Sequence, residues 1–212
     1  MDNKVMPKVF MWMCIGLFIT FLTGYVISSN ERMLLSVFSR GSYMVFIIVE
    51  FAIVILLSAR IRKMNPTTCK VLFLLYSFIT GLTFSSIFVL YKITSIISLF
   101  LIASIIFGIF AILGSVTKID LTKIGTFLFM ALISVVIFSI FNIFIASEKI
   151  DFVLAVVSLF IFMGITAYDI QKIKRNFRDI PEDNLAIYGA FELYLDYINI
   201  FIDLLRIFGK EK

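Results

Sequence analysis

The sequence contains no histidine, only two cysteines and only three prolines among its 212 residues. A chain without histidine cannot hold a His-ligated zinc ion, a Ser-His-Asp triad or a Cys-His dyad. Cys14 and Cys69 suggest no disulfide framework, and the chain has no glycine-rich phosphate loop. These absences exclude most of the chemistry of soluble enzymes, so no enzymatic activity and no resident cofactor are expected.

What the sequence has in abundance is apolar side chains. Hydrophobic residues make up 61% of the chain and charged residues 16%, and the mean hydropathy is +1.08. This composition is typical of polytopic membrane proteins. The net charge of +5 does not indicate a nucleic-acid partner, because the basic residues cluster in the predicted loops, as topology signals do.

Seven apolar segments, separated by polar breaks, are each long enough to cross a bilayer. They run roughly over 9–28, 42–59, 71–91, 93–116, 124–146, 152–170 and 185–208. The first is too long for a signal peptide, so a retained span is expected. Asn30-Glu31-Arg32 and Asn65-Pro66 are turn signals, and the longest break runs from 171 to 184. We therefore expect an all-α membrane protein with one seven-helix transmembrane domain over residues 1–212.

The basic residues also predict the orientation of the chain. The N-terminus and the loops that follow the second, fourth and sixth segments hold 12 of the 19 Lys and Arg residues. Since cytoplasmic loops carry an excess of these residues, the N-terminus is expected in the cytoplasm and the C-terminus outside. A re-entrant last segment would instead return the basic C-terminus to the cytoplasm.

The last apolar segment carries a polar stripe. Its members recur at spacings of four, three, four and three residues, which places them within an arc of about 80° on a helix: Glu192, Asp196, Asn199, Asp203 and Arg206. A charged side chain that faces lipid is costly, so the stripe predicts protein or water along this face and hence the central helix of a bundle. The alternative is an amphipathic helix on the membrane surface, although such helices usually carry Lys and Arg. Asp203 and Arg206 also suit a structural ion pair.

Three further ionisable residues lie in the predicted spans. Glu50 is near the midplane, about 15 Å deeper than Arg60 at 1.5 Å per residue. Arg60 ends the second segment and Asp169 ends the sixth, both on the predicted cytoplasmic side. Ionisable groups inside spans are functional hypotheses by default. The alternatives are an ordinary positive-inside anchor for Arg60 and an interfacial carboxylate beside Lys172 for Asp169.

These carboxyl groups suit proton-sensitive cation binding. Buried carboxyls tend to hold protons, and two that share a site titrate as a coupled pair. When ionised, they provide hard oxygen ligands for Ca²⁺. Two carboxylates leave a calcium shell incomplete, so weak binding with retained water is expected.

Three stretches resemble the transmembrane Bax-inhibitor-motif family: AYDIQKIK at 167–174, GLTFSSIFVLY at 81–91 and LYLDYINIFIDLLRIFG at 193–209. The resemblance extends over nearly the whole chain in length and segment number, and is greatest to small bacterial members that act as pH-sensitive calcium leak channels. It implies two three-helix layers around the C-terminal helix, in a multi-pass protein of the bacterial inner membrane.

The resemblance also implies roles for individual residues. Asp169 and Asp196 match the pH-sensing and ion-binding aspartate pair, and Arg60 matches an arginine that latches to the first of these aspartates. Glu50 and Arg206 match a second charge pair in the pore. Glu192 and Asp203 are the remaining candidates for pore or gating charges. A naive depth count places Asp169 about 5 Å below the interface and Asp196 ~15–20 Å below it, so direct contact between them would require a tilted or displaced helix.

Several other functions share some of these features. A proton-coupled cation transporter or exchanger is the main alternative, but such proteins often show inverted repeats or broken helices, and no repeat is clear here. An intramembrane aspartyl protease would share Tyr168-Asp169, but its Gly-x-Gly-Asp motif is absent. A retinal protein would need a lysine deep in the last span, and a non-transporting interaction protein remains open. The expected partners are the bilayer, calcium ions and protons, with a monomeric chain and no nucleic acid.

Overall fold

The computed structural model describes residues 5–39, 42–175 and 181–212, and nearly all of them are helical. In chain order the helices are α1 (Val5–Ser28), α2 (Glu31–Val37), α3 (Ser42–Arg60), α4 (Pro66–Leu90), α5 (Ile93–Val116), α6 (Thr122–Ile145), α7 (Glu148–Arg175) and α8 (Glu182–Phe208). Within the described ranges, six of them (α1 and α4 to α8) are long and apolar enough to cross a membrane. The predicted all-α membrane protein is therefore confirmed, while the seventh span, on α3, stays a prediction.

Asparagine side chains start two of the helices. The Asn65 side chain accepts a hydrogen bond from the Thr67 N–H, and Pro66 occupies the first turn of α4, as expected for a capped helix start. Asn30 caps α2 in the same way, through the N–H groups of Arg32 and Met33. The predicted turn at Asn30 is thus followed at once by a short helix that the apolar pattern did not reveal.

The predicted break at 171–184 begins too early. Helix α7 continues through residue 171 and ends at Arg175. Its last turn carries Lys172, Lys174 and Arg175, and basic side chains there are favourable beside the negative end of the helix dipole. Apolar periodicity alone does not detect such a polar helical extension.

The chain divides into two compact units. The first unit contains α1 to α4, the part of α8 up to Tyr194, and Lys212. The second unit contains α5 to α7 and the chain from Leu195 to Glu211. Each unit thus has three long helices and one half of α8.

In the first unit, α1 and α4 run in the same direction. Gly16 packs against Phe73 and Ser77, whereas Gly24, two turns later, packs against Phe88 and the carbonyl of Gly81. Since α1 and α4 are parallel, α2 and α3 return the chain to the end at which α1 began. If α3 is the predicted second span, it has to bring the chain back across the membrane in this way.

The start of α8 and Lys212 contact opposite ends of α4 within the first unit. At its start, Asp183 forms an ion pair with Lys70 in the first turns of α4, at 3.0 Å. Beyond its end, the Lys212 N–H donates to the carbonyl of Leu90, the last residue of α4, at 3.0 Å. This geometry favours a full crossing by α8 over a re-entrant segment.

Burial differs strongly between α8 and α6. In α8, 72% of the residues in its most apolar stretch are buried, against 11% in α6. Helix α8 is therefore an interior helix, as its polar stripe predicts, and the surface-lying alternative is wrong. The exposed face of α6 is apolar, with Phe138, Phe141 and Phe144 on it, which suits contact with lipid tails.

In the second unit, a small residue allows close packing of α5 and α7. A Cβ atom at Gly114 would lie 2.1 Å from the carbonyl oxygen of Ala167. By contrast, a Cβ atom at Gly108, on the same helix, would meet nothing within 4 Å. Small residues at such positions let helix backbones approach closely in a membrane.

The Gly114→Ala variant is therefore expected to be destabilised by about 1–3 kcal/mol, the usual cost of overpacking, because the backbone of α7 has to move. The matched variant Gly108→Ala should be neutral or more stable by up to about 1 kcal/mol, since alanine restricts the unfolded chain. Thermal unfolding in detergent measures both. Equal stability of the two variants would contradict this packing.

Candidate functional site

Asp169 and Asp196, the two candidate sensor residues, both lie in the second unit. Asp169 is 2% exposed and Asp196 is 3% exposed. The Asp169 side chain is therefore not exposed to solvent, and its position relative to the membrane interface stays a prediction. Lys172, one turn later on α7, places its Nζ atom 3.5 Å from Oδ1 of Asp169. A cation is therefore close to this carboxyl group within its own helix.

The position of Asp169 follows from the packing of the residues just before it. Ala167 lies against Gly114 of α5, and the Tyr168 ring lies against Gly125 of α6. The Tyr168 ring also contacts Phe129 edge-on, with the ring centroids 6.2 Å apart. These contacts hold the turn of α7 that carries Asp169 between two neighbouring helices.

The position of Asp196 is fixed by Tyr197, the next residue on α8. The Tyr197 hydroxyl lies 2.9 Å from the Phe100 carbonyl, to which it donates, and 2.9 Å from the Ser104 hydroxyl. Its ring contacts Phe100 and Phe107 edge-on, with the centroids 5.2 and 5.7 Å apart. Asp196 therefore sits on a turn that is held against α5 by both polar and aromatic contacts.

Arg60, the candidate latch, is an exposed residue of the first unit. It is the last residue of α3, and the chain continues as a short 3₁₀ turn over Ile61–Lys63. The Asn184 amide of α8 donates to the carbonyls of Ile61 and Met64, at 2.7 and 2.9 Å. The end of α3 is thereby tied to the first turns of α8.

Arg206 joins two carboxyl groups in the second unit. Its guanidinium binds both side-chain oxygens of Asp151, on α7, and lies 3.4 Å from Oδ1 of Asp203. Asp203 is 3% exposed, and its other oxygen, Oδ2, makes no well-formed hydrogen bond among the described residues, although Ser158 lies beside this carboxyl group. The predicted Asp203–Arg206 pair is confirmed. Asp151 is not among the residues predicted from the sequence, because an acidic residue in the first turn of a helix is common and does not indicate a distant partner.

The other two candidate charges lie in the first unit. Glu50 accepts a hydrogen bond from the Thr83 hydroxyl of α4, at 3.3 Å. Glu192 is only partly buried, on the first half of α8. Within the described parts of the chain, no group of three or more Asp, Glu or Cys residues is placed to hold a metal ion.

Asp120, between α5 and α6, is an exposed carboxylate outside the spans. Hydrogen bonds from the hydroxyl and the N–H of Thr122, together with Arg175, lower its pKa from 3.8 to about 2. Because the folded pKa is the lower one, the stability that Asp120 contributes is complete above pH 3.8 and is lost as the pH falls through 2. Asp120 thus stays ionised at neutral and mildly acidic pH, and it provides a control for pH-dependent behaviour.

Removal of the Arg206 charge should destabilise the protein. In Arg206→Met, the buried Asp203 carboxylate loses its cation, at an expected cost of roughly 2–3 kcal/mol, because hydrogen bonds to charged groups are worth this much. The double variant Arg206→Met, Asp203→Leu should recover most of the loss, since no buried charge then remains unpaired. Unfolding midpoints in detergent test this, and a double variant no more stable than Arg206→Met would contradict it.

The chain is similar to known proteins over nearly its whole length. A family profile described as "Inhibitor of apoptosis-promoting Bax1" matches residues 2–212. The inner membrane protein YbhL of Escherichia coli K12 is 39% identical over 214 residues, which cover 98% of this chain and 92% of YbhL. An uncharacterised protein of Borreliella burgdorferi is 37% identical over 216 residues, covering 99% of this chain and 93% of that protein. The uncharacterised protein RP147 of Rickettsia prowazekii is 32% identical over 214 residues, covering 99% and 91%.

Proposed function

We propose, from the premise that this chain belongs to the Bax inhibitor family, that it is a pH-sensitive calcium leak channel of the bacterial inner membrane. The protein is a multi-pass membrane protein by its helices, and its relative in Escherichia coli is named an inner membrane protein. In this proposal the chain catalyses no reaction, and Ca²⁺ is the transported ion and not a resident cofactor.

The observation that carries the proposal is the burial of Asp169 and Asp196 in one unit. Each lies in a helix that is long enough to span the membrane, and each is at least 97% buried. Carboxyl groups in a low-dielectric interior are costly when ionised. Such groups respond to pH and to cations, because either a proton or a metal ion neutralises them.

In the proposed mechanism, proton binding and cation binding compete for the two aspartates. When ionised, Asp169 and Asp196 present hard oxygen ligands to a passing Ca²⁺ ion, which retains part of its water shell. Protonation removes these ligands and also weakens the attraction of Arg60 for Asp169. The Asn184 amide of α8 is hydrogen-bonded to the chain just after Arg60. A movement of Arg60 would therefore displace the start of α8.

The continuity of α8 favours a channel over a carrier. The helix runs without interruption over 27 residues, from Glu182 to Phe208, and it contains both Glu192 and Asp196. Secondary transporters commonly bind their ions at broken helices near the bilayer midplane. A proton-coupled cation exchanger therefore remains the second candidate, and the proposed channel is the first.

The first test is Ca²⁺ flux into dye-loaded liposomes at pH values from 5 to 8. The wild-type protein should conduct with a pH midpoint in this range, and Asp196→Asn should abolish or shift the midpoint. Arg60→Ala should flatten the pH response, since it removes the latch. Asp120→Asn is the control and should leave the midpoint unchanged, because Asp120 stays ionised throughout this range.

Two results would count against the channel. A wild-type protein no leakier than empty liposomes at every pH would exclude it. Acceleration of labelled Ca²⁺ uptake by unlabelled Ca²⁺ inside the liposomes would instead support a carrier, because exchange of this kind requires alternating access.

A second test addresses the proposed cytoplasmic N-terminus. Lys63, between α3 and α4, and Glu211, after α8, are both exposed. In a chain without Cys14 and Cys69, Glu211→Cys should react with a membrane-impermeant maleimide on intact spheroplasts. Lys63→Cys should react only after lysis, and the opposite pattern would mean that the orientation is reversed.

A further inference from the structure

We propose that the second unit carries a docking surface for the headgroups of anionic phospholipids, at the end where α5 ends, α6 begins and α7 ends. This basic surface consists of three lysines and two exposed apolar residues: Lys118, Lys123, Lys174, Val116 and Ile119. The proposal goes beyond general contact with a bilayer, because it names a class of lipid and a position on the protein. It does not depend on the calcium leak.

A buried glutamine holds the loop between α5 and α6. Gln171, on α7, is 6% exposed, and its side-chain amide binds this loop through both of its polar atoms. Its Nε2 atom donates to the Ile119 carbonyl at 2.8 Å, and its Oε1 atom accepts from the Leu121 N–H at 2.9 Å. The loop backbone is thus fixed at two points, and the side chains that it exposes stand on an ordered support.

Two basic side chains from the last turn of α7 meet the same region. The Nζ atom of Lys174 donates to the hydroxyl and the carbonyl of Ser115, at 2.7 and 3.0 Å. The Nη1 atom of Arg175 lies 2.7 Å from Oδ1 of Asp120. Arg175 and Asp120 balance each other, whereas Ser115 is neutral and leaves the charge of Lys174 uncompensated. The end of α7 and the loop therefore form one surface with an excess of positive charge.

The other two lysines add to this charge. Lys118 and Lys123 are both exposed, and neither forms an ion pair within the described parts of the chain. Over residues 115–124 and 173–175, four basic residues stand against one acidic residue. Lys123 also lies in the first turn of α6, which contains no acidic residue, so the positive end of the helix dipole adds to the charge of the lysine. The surface therefore attracts anions from outside the protein.

The basic residues near the start of α8, in the first unit, are balanced by the protein itself. Lys8 forms an ion pair with Glu182 at 2.8 Å, and Lys70 forms one with Asp183 at 3.0 Å. Lysines near the end of a membrane span are thus not left without carboxylates throughout this chain. The excess of positive charge at the basic surface is a local property of the second unit.

The apolar residues beside Lys118 indicate that the anion is a lipid. Val116 and Ile119 are 67% and 68% exposed. Val116 ends α5, a helix that is long and apolar enough to cross a membrane, so Lys118 follows at the level where lipid headgroups begin. A soluble anion would leave these apolar side chains in water. An anionic phospholipid binds the lysines through its phosphate and covers the apolar side chains with its acyl chains.

The lipid preference is measured through a tryptophan reporter beside the basic surface. The full-length variant Trp12→Phe, Ile112→Trp has its single tryptophan at an exposed position of α5, one turn before Val116. It is reconstituted in bilayers of phosphatidylcholine and phosphatidylglycerol, of which one carries brominated acyl chains that quench the fluorescence. Phosphatidylglycerol should be preferred at this position, and the preference should fall as the ionic strength rises.

Loss of either lysine should weaken this preference. Lys118→Gln and Lys123→Gln, each made in the reporter variant, should lower the relative binding constant of phosphatidylglycerol by up to about fivefold, the contribution of one basic side chain at an anionic membrane surface. The double variant should lower it further. Lys149→Gln is the matched control, since it removes an exposed lysine from the opposite end of α7, and it should leave the binding constant unchanged.

Three results would overturn the proposal. The first is equal binding of the two lipids beside the reporter, and the second is a preference that persists undiminished in Lys118→Gln, Lys123→Gln. The third is displacement of phosphatidylglycerol by inorganic phosphate, compared with chloride at equal ionic strength, because the surface would then take a soluble anion. None of these readouts involves Ca²⁺ flux, so failure here and failure of the leak channel are distinguishable.

Discussion

The cost of an ionised group in hydrocarbon is the constraint on which this structure depends. The last helix carries four acidic or basic side chains within its final 17 residues, from Glu192 to Phe208, and such a helix cannot face lipid tails without a large penalty. Helix α8 is far more buried than α6, and this burial keeps its charged side chains away from lipid. The apolar helices then take the positions in contact with lipid, where they need no polar partner.

Close helix packing makes this burial possible. In a membrane, helices associate through van der Waals contact and not through the hydrophobic effect, so small residues at contact points have a large influence. Gly114 admits the backbone of α7 at Ala167, and Gly125 admits the ring of Tyr168. Asp169, two residues after Ala167, is buried because of these contacts. The close packing at these two glycines and the burial of Asp169 therefore depend on each other.

The buried charges are balanced in different ways in the two units. In the second unit, Arg206 forms ion pairs with both Asp151 and Asp203, and Lys172 lies beside Asp169. In the first unit, Glu50 is partly buried and accepts a hydrogen bond from the Thr83 hydroxyl of α4.

The sequence by itself determined the helical membrane fold, the approximate bounds of the long helices and the interior position of α8, because hydropathy and helical periodicity are local properties that the bilayer selects directly. It also indicated Asp203 and Arg206 as a pair, since they are three residues apart on one helix. Only the tertiary structure decided that Asp151 completes this pair, that α7 extends to Arg175 and that Thr20 and Tyr194 share a hydrogen bond across 174 residues. The physical reason is that contacts between distant segments depend on how helices pack, and no local pattern in the sequence records that packing.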